Sequence, residues 1–170
     1  MREKLHILIA NSNHKKALDF KRFLEEKDEI EQVYLAEDGL EACRMIMERK
    51  PDIVLLDVIL PELDGLGVLE RINTEWKAES RPAFIFVTSV STQGLVECAM
   101  KLGASYFVLR PFYPDGIYRR MLQIKKCNSS MHNRVEVRAN RRVSRPYTMP
   151  AAAAAAVSDF QMKTDQDEKL

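Results

Sequence analysis

Asp57 closes the short apolar run Ile53-Val54-Leu55-Leu56 and is followed by Val58-Ile59-Leu60-Pro61 and Asp64-Gly65. Other apolar runs end on residues with polar groups to offer: Asn11 follows Leu5 to Ala10, Thr88 follows Ala83 to Val87, and Arg110 follows Tyr106 to Leu109. If these runs are parallel strands, an amide, a carboxylate, a hydroxyl and a guanidinium converge on one pocket. In open α/β sheets the rim outside the carboxyl ends of the strands is where ligands and chemistry gather. A carboxylate beside a fixed cation is equipped there to handle a charged ligand. Each residue alone has an ordinary reading: Asp57 as a turn or cap residue, Thr88 as a β-branched strand end. Their joint position makes the site.

The elements that must position them are legible. Apolar runs recur at Leu5 to Ala10, Val33 to Ala36, Ile53 to Leu56, Ala83 to Val87 and Tyr106 to Leu109, which predicts five strands. Between them, Ala17, Phe20 and Leu24, then Leu40, Cys43 and Met47, then Leu69, Ile72 and Trp76 recur at i, i+3, i+7 and predict core-facing helical stripes. Asp38-Gly39-Leu40-Glu41 has the form of a capping box, and Gly103 stands where the Leu95 to Leu102 helix needs a left-handed cap. A last helix from Pro114 to Lys126 buries Ile117, Met121 and Ile124. Strict alternation of strand and helix over residues 1–126 predicts an α/β fold: a doubly wound, five-stranded parallel sheet of (βα)5, flavodoxin-like type.

Residues 127–170 have linker composition: Asn128-Ser129-Ser130, arginines from Arg134 to Arg145, Pro146, Pro150 and six alanines before an acidic end. The expectation is a flexible tail with no second domain, no helix-turn-helix pattern and hence no DNA-binding domain. The arginines could contact nucleic acid phosphates but read more simply as a solvated linker. Charge is balanced, 26 basic against 25 acidic residues, so nothing global argues for nucleic acid or an anionic membrane. The three cysteines, Cys43, Cys98 and Cys127, lack metal spacing and suit a reducing compartment. With no signal-peptide pattern and no membrane-length run, the expected location is the cytoplasm. His6, His14 and His132 share no spacing and are not assigned as ligands.

The layout over residues 4–126 resembles a bacterial response-regulator receiver domain. Leu63-Asp64-Gly65-Leu66-Gly67-Val68-Leu69-Glu70-Arg71 and Leu102-Gly103-Ala104-Ser105-Tyr106-Phe107-Val108-Leu109-Arg110-Pro111-Phe112 are similar to the receivers of the master sporulation regulator family of endospore-forming bacteria. The resemblance implies that Asp57 is the phosphoacceptor, taking a phosphoryl group from a phosphohistidine partner. It implies that Thr88 bonds a phosphoryl oxygen, that Phe107 is the switch aromatic, and that the Arg110-Pro111 bond is cis. Arg110 stands where the family has lysine. The implied metal ligands for Mg2+ are Asp57, the Ile59 main-chain carbonyl and Asn11.

Phosphoryl transfer needs its oxygens neutralised by a divalent cation and a fixed positive side chain. The family supplies two adjacent acids after the first strand, and this chain is read as having Ala10 and Asn11 in their place, a degenerate acidic pair. The expected consequence is weak Mg2+ binding, and Arg110 keeps the sign of lysine without its geometry. The leading expectation is therefore an atypical pseudo-receiver, not an enzyme, with weakened phosphorylation at Asp57. It would act through protein contacts with a histidine kinase, a phosphotransfer protein or another receiver, or as a homodimer. By resemblance, the contact face comprises the fourth helix, fifth strand and fifth helix, including Tyr106 and Tyr118. The alternative is a working phosphoacceptor that regulates sporulation-type transcription. An enzyme on a related fold fits poorly, because Asn11-Ser12-Asn13-His14 has no glycine for close phosphate approach.

Overall fold

The computed structural model describes residues 4–76, 81–90 and 92–132, with side chains described to Cys127. The expected tail therefore lies almost wholly outside the described residues. Strands β1 (Leu5–Ala10), β2 (Ile30–Ala36), β3 (Ile53–Leu56), β4 (Ala83–Thr88) and β5 (Tyr106–Leu109) alternate with helices α1 (His14–Glu25), α2 (Gly39–Arg49), α3 (Gly65–Glu75), α4 (Gln93–Lys101) and α5 (Pro114–His132). The sheet is parallel throughout, in the order β2-β1-β3-β4-β5. This is the doubly wound, flavodoxin-like arrangement that the alternation predicts. Chain direction reverses across the sheet between β1 and β3, the switch point at which such folds open a crevice.

Burial follows strand position. β3 and β4 are buried at every residue, as a strand covered on both faces must be, whereas edge strand β2 is buried only at Ile30, Val33 and Ala36. Leu8, Val54, Phe84 and Phe86 pack on α2, α3 and α4, while Ile7, Ile9, Leu55 and Ile85 pack on α1 and α5. Phe107 joins the first layer and Tyr106 and Val108 the second, which fixes the parity of β5. Helices α1 to α4 each begin at a side-chain cap: Asn13, Asp38, Asp64 and Thr92 accept from the N–H groups of Lys16, Glu41, Gly67 and Leu95.

Four details depart from the pattern in the sequence. β2 starts at Ile30, three residues before the apolar run, because a register shift there leaves exposed Glu31 without a partner in β1 while Ile30 and Gln32 pair with Leu5 and His6. Helix α5 continues beyond Lys126 to His132, through Asn128-Ser129-Ser130. In α2 the stripe is turned: Leu40 is 45% and Met47 39% exposed, and the buried face is Gly39, Ala42, Cys43 and Ile46. Full burial of an isoleucine such as Ile46 is worth about 2 kcal/mol. The face that packs closest is thus built from small residues around Ile46, and the bulkier side chains point outward. In the capping box, Glu41 accepts from the Glu37 N–H at 2.9 Å, one residue earlier than the motif requires.

Gly103, at φ +93°, ends α4 as predicted: its N–H bonds the Met100 carbonyl and the Ala104 N–H bonds the Ala99 carbonyl, the paired bonds of a Schellman turn. Arg81 reinforces this end from the start of β4. Its guanidinium donates to the Gly103 carbonyl at 2.7 Å and to the Asn73 side chain, which itself donates to the Leu102 carbonyl at 2.8 Å.

Candidate functional site

The rim is assembled by main-chain bonds before any side chain acts. The Asp57 N–H donates to the Ala10 carbonyl at 3.0 Å, joining β3 to β1, and the Arg110 N–H donates to the Thr88 carbonyl at 2.9 Å, joining β5 to β4. Behind Asp57 the chain turns sharply, and the Gly65 N–H closes the turn on the Val58 carbonyl. A Cβ at Gly65 would stand 2.3 Å from the Asp57 carbonyl oxygen, so only glycine permits this approach. The Arg110-Pro111 bond is cis, as the resemblance implied.

Asp57 is 8% exposed. One carboxylate oxygen accepts from the Ile59 N–H at 3.2 Å, and the other faces Arg110 Nη1 at 3.2 Å. Burial pushes the Asp57 carboxyl above its ordinary range, while Arg110, the N–H groups of Ile59 and Val58, and Lys16 pull it back. Thr88 is fully buried, and its hydroxyl accepts from the Val90 N–H at 3.2 Å. Phe107 stacks on Phe86 with ring centroids 6.1 Å apart, half-buried on the α3–α4 side.

Asn11, Asp57 and Arg110 line one cavity of about 580 Å³ between α1 and the β5–α5 loop. Thr88, at the adjacent strand end, does not line it. Ala10 requires a correction: its side chain is packed in the apolar layer with Ala36, Ala42 and Leu56, so it occupies a core position and not a ligand position. The loop residues that follow β1 are Asn11 and Ser12, and neither carries charge. Tyr118 is also displaced from its expected face. Its ring meets Phe23 of α1 edge-on at 6.5 Å and its hydroxyl donates to Glu29, whereas Tyr106 lies under the Arg120 guanidinium at 3.8 Å. Sequence reasoning missed Lys16, Phe23 and Phe112 as cavity walls. The spacing of Ala17, Phe20 and Leu24 marked a buried face but not the space beside it.

Magnesium takes hard oxygen ligands in octahedral geometry, and its tight sites gather carboxylates. The oxygens here do not fit that demand. Asp57 is already paired with Arg110, and the Asn11 amide oxygen accepts from the Asn13 N–H at 2.8 Å. The Ile59 carbonyl adds a dipole without charge. Among the described residues no group of three acidic, histidine or cysteine side chains could hold a metal ion.

The chain matches the response regulator receiver domain family over residues 7–122. It belongs to that family, and it is therefore a receiver domain of two-component signalling. Solved structures share the fold. The CheY-like receiver domain protein from Methanospirillum hungatei is 19% identical, with a TM-score of 0.69 over 76% of this chain and 99% of that one. The receiver domain of the Francisella response regulator 1452 is 24% identical, with a TM-score of 0.64 over 72% and 98%. A chain of the CheX-CheY-BeF3-Mg2+ complex from Borrelia burgdorferi is 21% identical, with a TM-score of 0.65 over 72% and 90%. No helix among the described residues is long and apolar enough to cross a membrane.

Proposed function

We propose that this receiver is of the atypical kind, a cytoplasmic binding module in which Asp57 takes up phosphoryl groups poorly and signalling runs through protein contacts. The observation that carries this reading is the pairing of Asp57 with Arg110 at 3.2 Å beside a β1–α1 loop without a carboxylate. An incoming phosphoryl donor meets a carboxylate whose cation is a side chain, with no acidic cage to seat a second one. Two charges on a phosphoryl group beside an ionised Asp57 need more compensation than Arg110 and the exposed Lys16 supply. Mg2+ binding at Asn11, Asp57 and the Ile59 carbonyl is correspondingly weak.

The partner is a histidine kinase, a phosphotransfer protein or another regulator, met through the face of α4, β5 and α5, with a homodimer as one form of that contact. Exposed Met100 on α4, Leu109 on β5 and Tyr113 just before α5 support that choice. A second reading is favoured by the rim itself: Asp57, Thr88 and Arg110 stand at neighbouring strand ends, and the cis Arg110-Pro111 bond is present. On that reading the chain is a working phosphoacceptor of sporulation type, with Thr88 and Phe107 as its switch. Incubation with a small phosphodonor and magnesium, followed by intact mass beside Asp57→Ala, separates the two. The expected result is no stable adduct on either protein. An adduct on the parent that Asp57→Ala lacks would overturn the first reading in favour of the second.

A further inference from the structure

We propose that the cavity between α1 and the β5–α5 loop binds a small amphipathic anion, a molecule with one carboxylate or sulfonate head and an apolar body. The head lies against Arg110 and Lys16, and the body lies among Phe20, Phe23 and Phe112.

The cavity's size is the first argument. At about 580 Å³ it falls within the range of small-molecule sites, roughly 300–1,000 Å³. A bare phosphoryl group would leave most of it unfilled. The wall is the second. Phe20 stacks on Phe23 at 5.9 Å and meets Phe112 edge-on at 5.7 Å, so three rings from α1 and the β5–α5 loop brace one another. The sheet contributes Ile9, Leu55 and Val87, and the small Ala17 leaves room where a larger residue would plug the space. This is the composition of a site for an apolar body: mostly hydrocarbon, with a few polar groups gathered at one end.

Charge at that end selects the head. Arg110 engages Asp57 through Nη1, which leaves other guanidinium donors on a planar fork suited to a carboxylate or sulfonate. Lys16, exposed on the first turn of α1, lines the same cavity as Asp57 and Arg110. Arg110 is matched by Asp57, and Lys16 is the cation that remains to meet a ligand's anionic head. Asp19 also lines the cavity, one turn further along α1, so the head is placed at the Lys16 end and away from that carboxylate. The inference does not depend on whether Asp57 accepts a phosphoryl group.

The test is a titration of the full chain with an anilinonaphthalene sulfonate dye, read by its fluorescence, with decanoate and decylamine as competitors. Saturable one-to-one binding is expected, with displacement by decanoate and not by decylamine. Lys16→Glu reverses an exposed charge and should weaken dye binding about tenfold, the worth of one charge-assisted hydrogen bond. Ala17→Phe should fill the cavity and remove saturable binding, with circular dichroism reporting whether that variant folds. Non-saturable binding, equal displacement by decylamine, or undiminished affinity in Lys16→Glu would each overturn the assignment. Dye binding that persists in Asp57→Ala, together with phosphoryl uptake by the parent, would uphold this site while the pseudo-receiver reading fails.

Discussion

The two halves of the sheet rim have been treated differently. On the β4–β5 side the strand ends carry a hydroxyl and a guanidinium: Thr88 is fully buried with its hydroxyl oriented by the Val90 N–H, and Arg110 reaches across to Asp57. On the β1 side the residues that follow the strand are uncharged. Ala10 is turned into the core, the Asn11 amide oxygen is used within its own loop, and Ser12 is uncharged. Asp57 stands between the halves and leans toward the one that kept its charge. The lesson is that a receiver site is modular. The charged and uncharged ends of the rim rest on different strands, so each can vary without disturbing the fold that holds the other.

The largest effect should come from restoring the poorer half. Asn11→Asp combined with Ser12→Asp returns two charges to loop positions, and magnesium affinity should rise at least tenfold, measured by calorimetric titration. A unit charge about 4 Å from an ion is worth several kcal/mol even at an effective dielectric near 20. No gain would mean that lost charge is not what separates the halves. Next in size is Gly65→Ala, which forces a Cβ against the Asp57 carbonyl oxygen at the pin both halves share. It should cost about 1–3 kcal/mol in denaturant unfolding, with loss of the Asp57–Arg110 geometry. A neutral result would show that the turn can relax.

The smallest effect is one of pH. Burial raises the Asp57 carboxyl in the folded state, so its ionisation disfavours folding. The contribution is favourable below the unfolded carboxylate range and is lost as pH rises through the folded one. Relative to Asp57→Asn, the parent should therefore lose stability between acid and neutral pH, read as melting temperature against pH. A difference that stays constant, or runs the other way, would mean that Arg110 outweighs burial.

Much of this was legible in the residues because strand ends are easy to find. Ile53 to Leu56 could only be a strand covered on both faces, and that alone placed Asp57 at the rim. Thr88 and Arg110 followed by the same logic. Parity was harder: whether Ala10 or its neighbour faces the pocket depends on the pleat, and a shift of one residue exchanges core for rim. The outward turn of Leu40 and Met47 was hidden because spacing at i, i+3, i+7 fits more than one face of a helix, and tertiary fit selected the smaller residues. Helix α5 outran its apolar pattern, since polar Asn128-Ser129-Ser130 can continue a helix that is already nucleated. The cavity was invisible, because empty space belongs to no residue.

Arg81 gives α4 two unlike ends. At the C-terminal end it clasps the carbonyl that follows the helix and the asparagine of α3, anchoring that turn to β4 and α3 together. The opposite end begins at Thr92, a few residues beyond Thr88, where the Thr92 side chain caps the helix at 3.3 Å. A push originating near Thr88 thus meets a lever with its fulcrum at the far end. The helix would answer by pivoting instead of sliding, and its sweep would be widest at the turn nearest the rim.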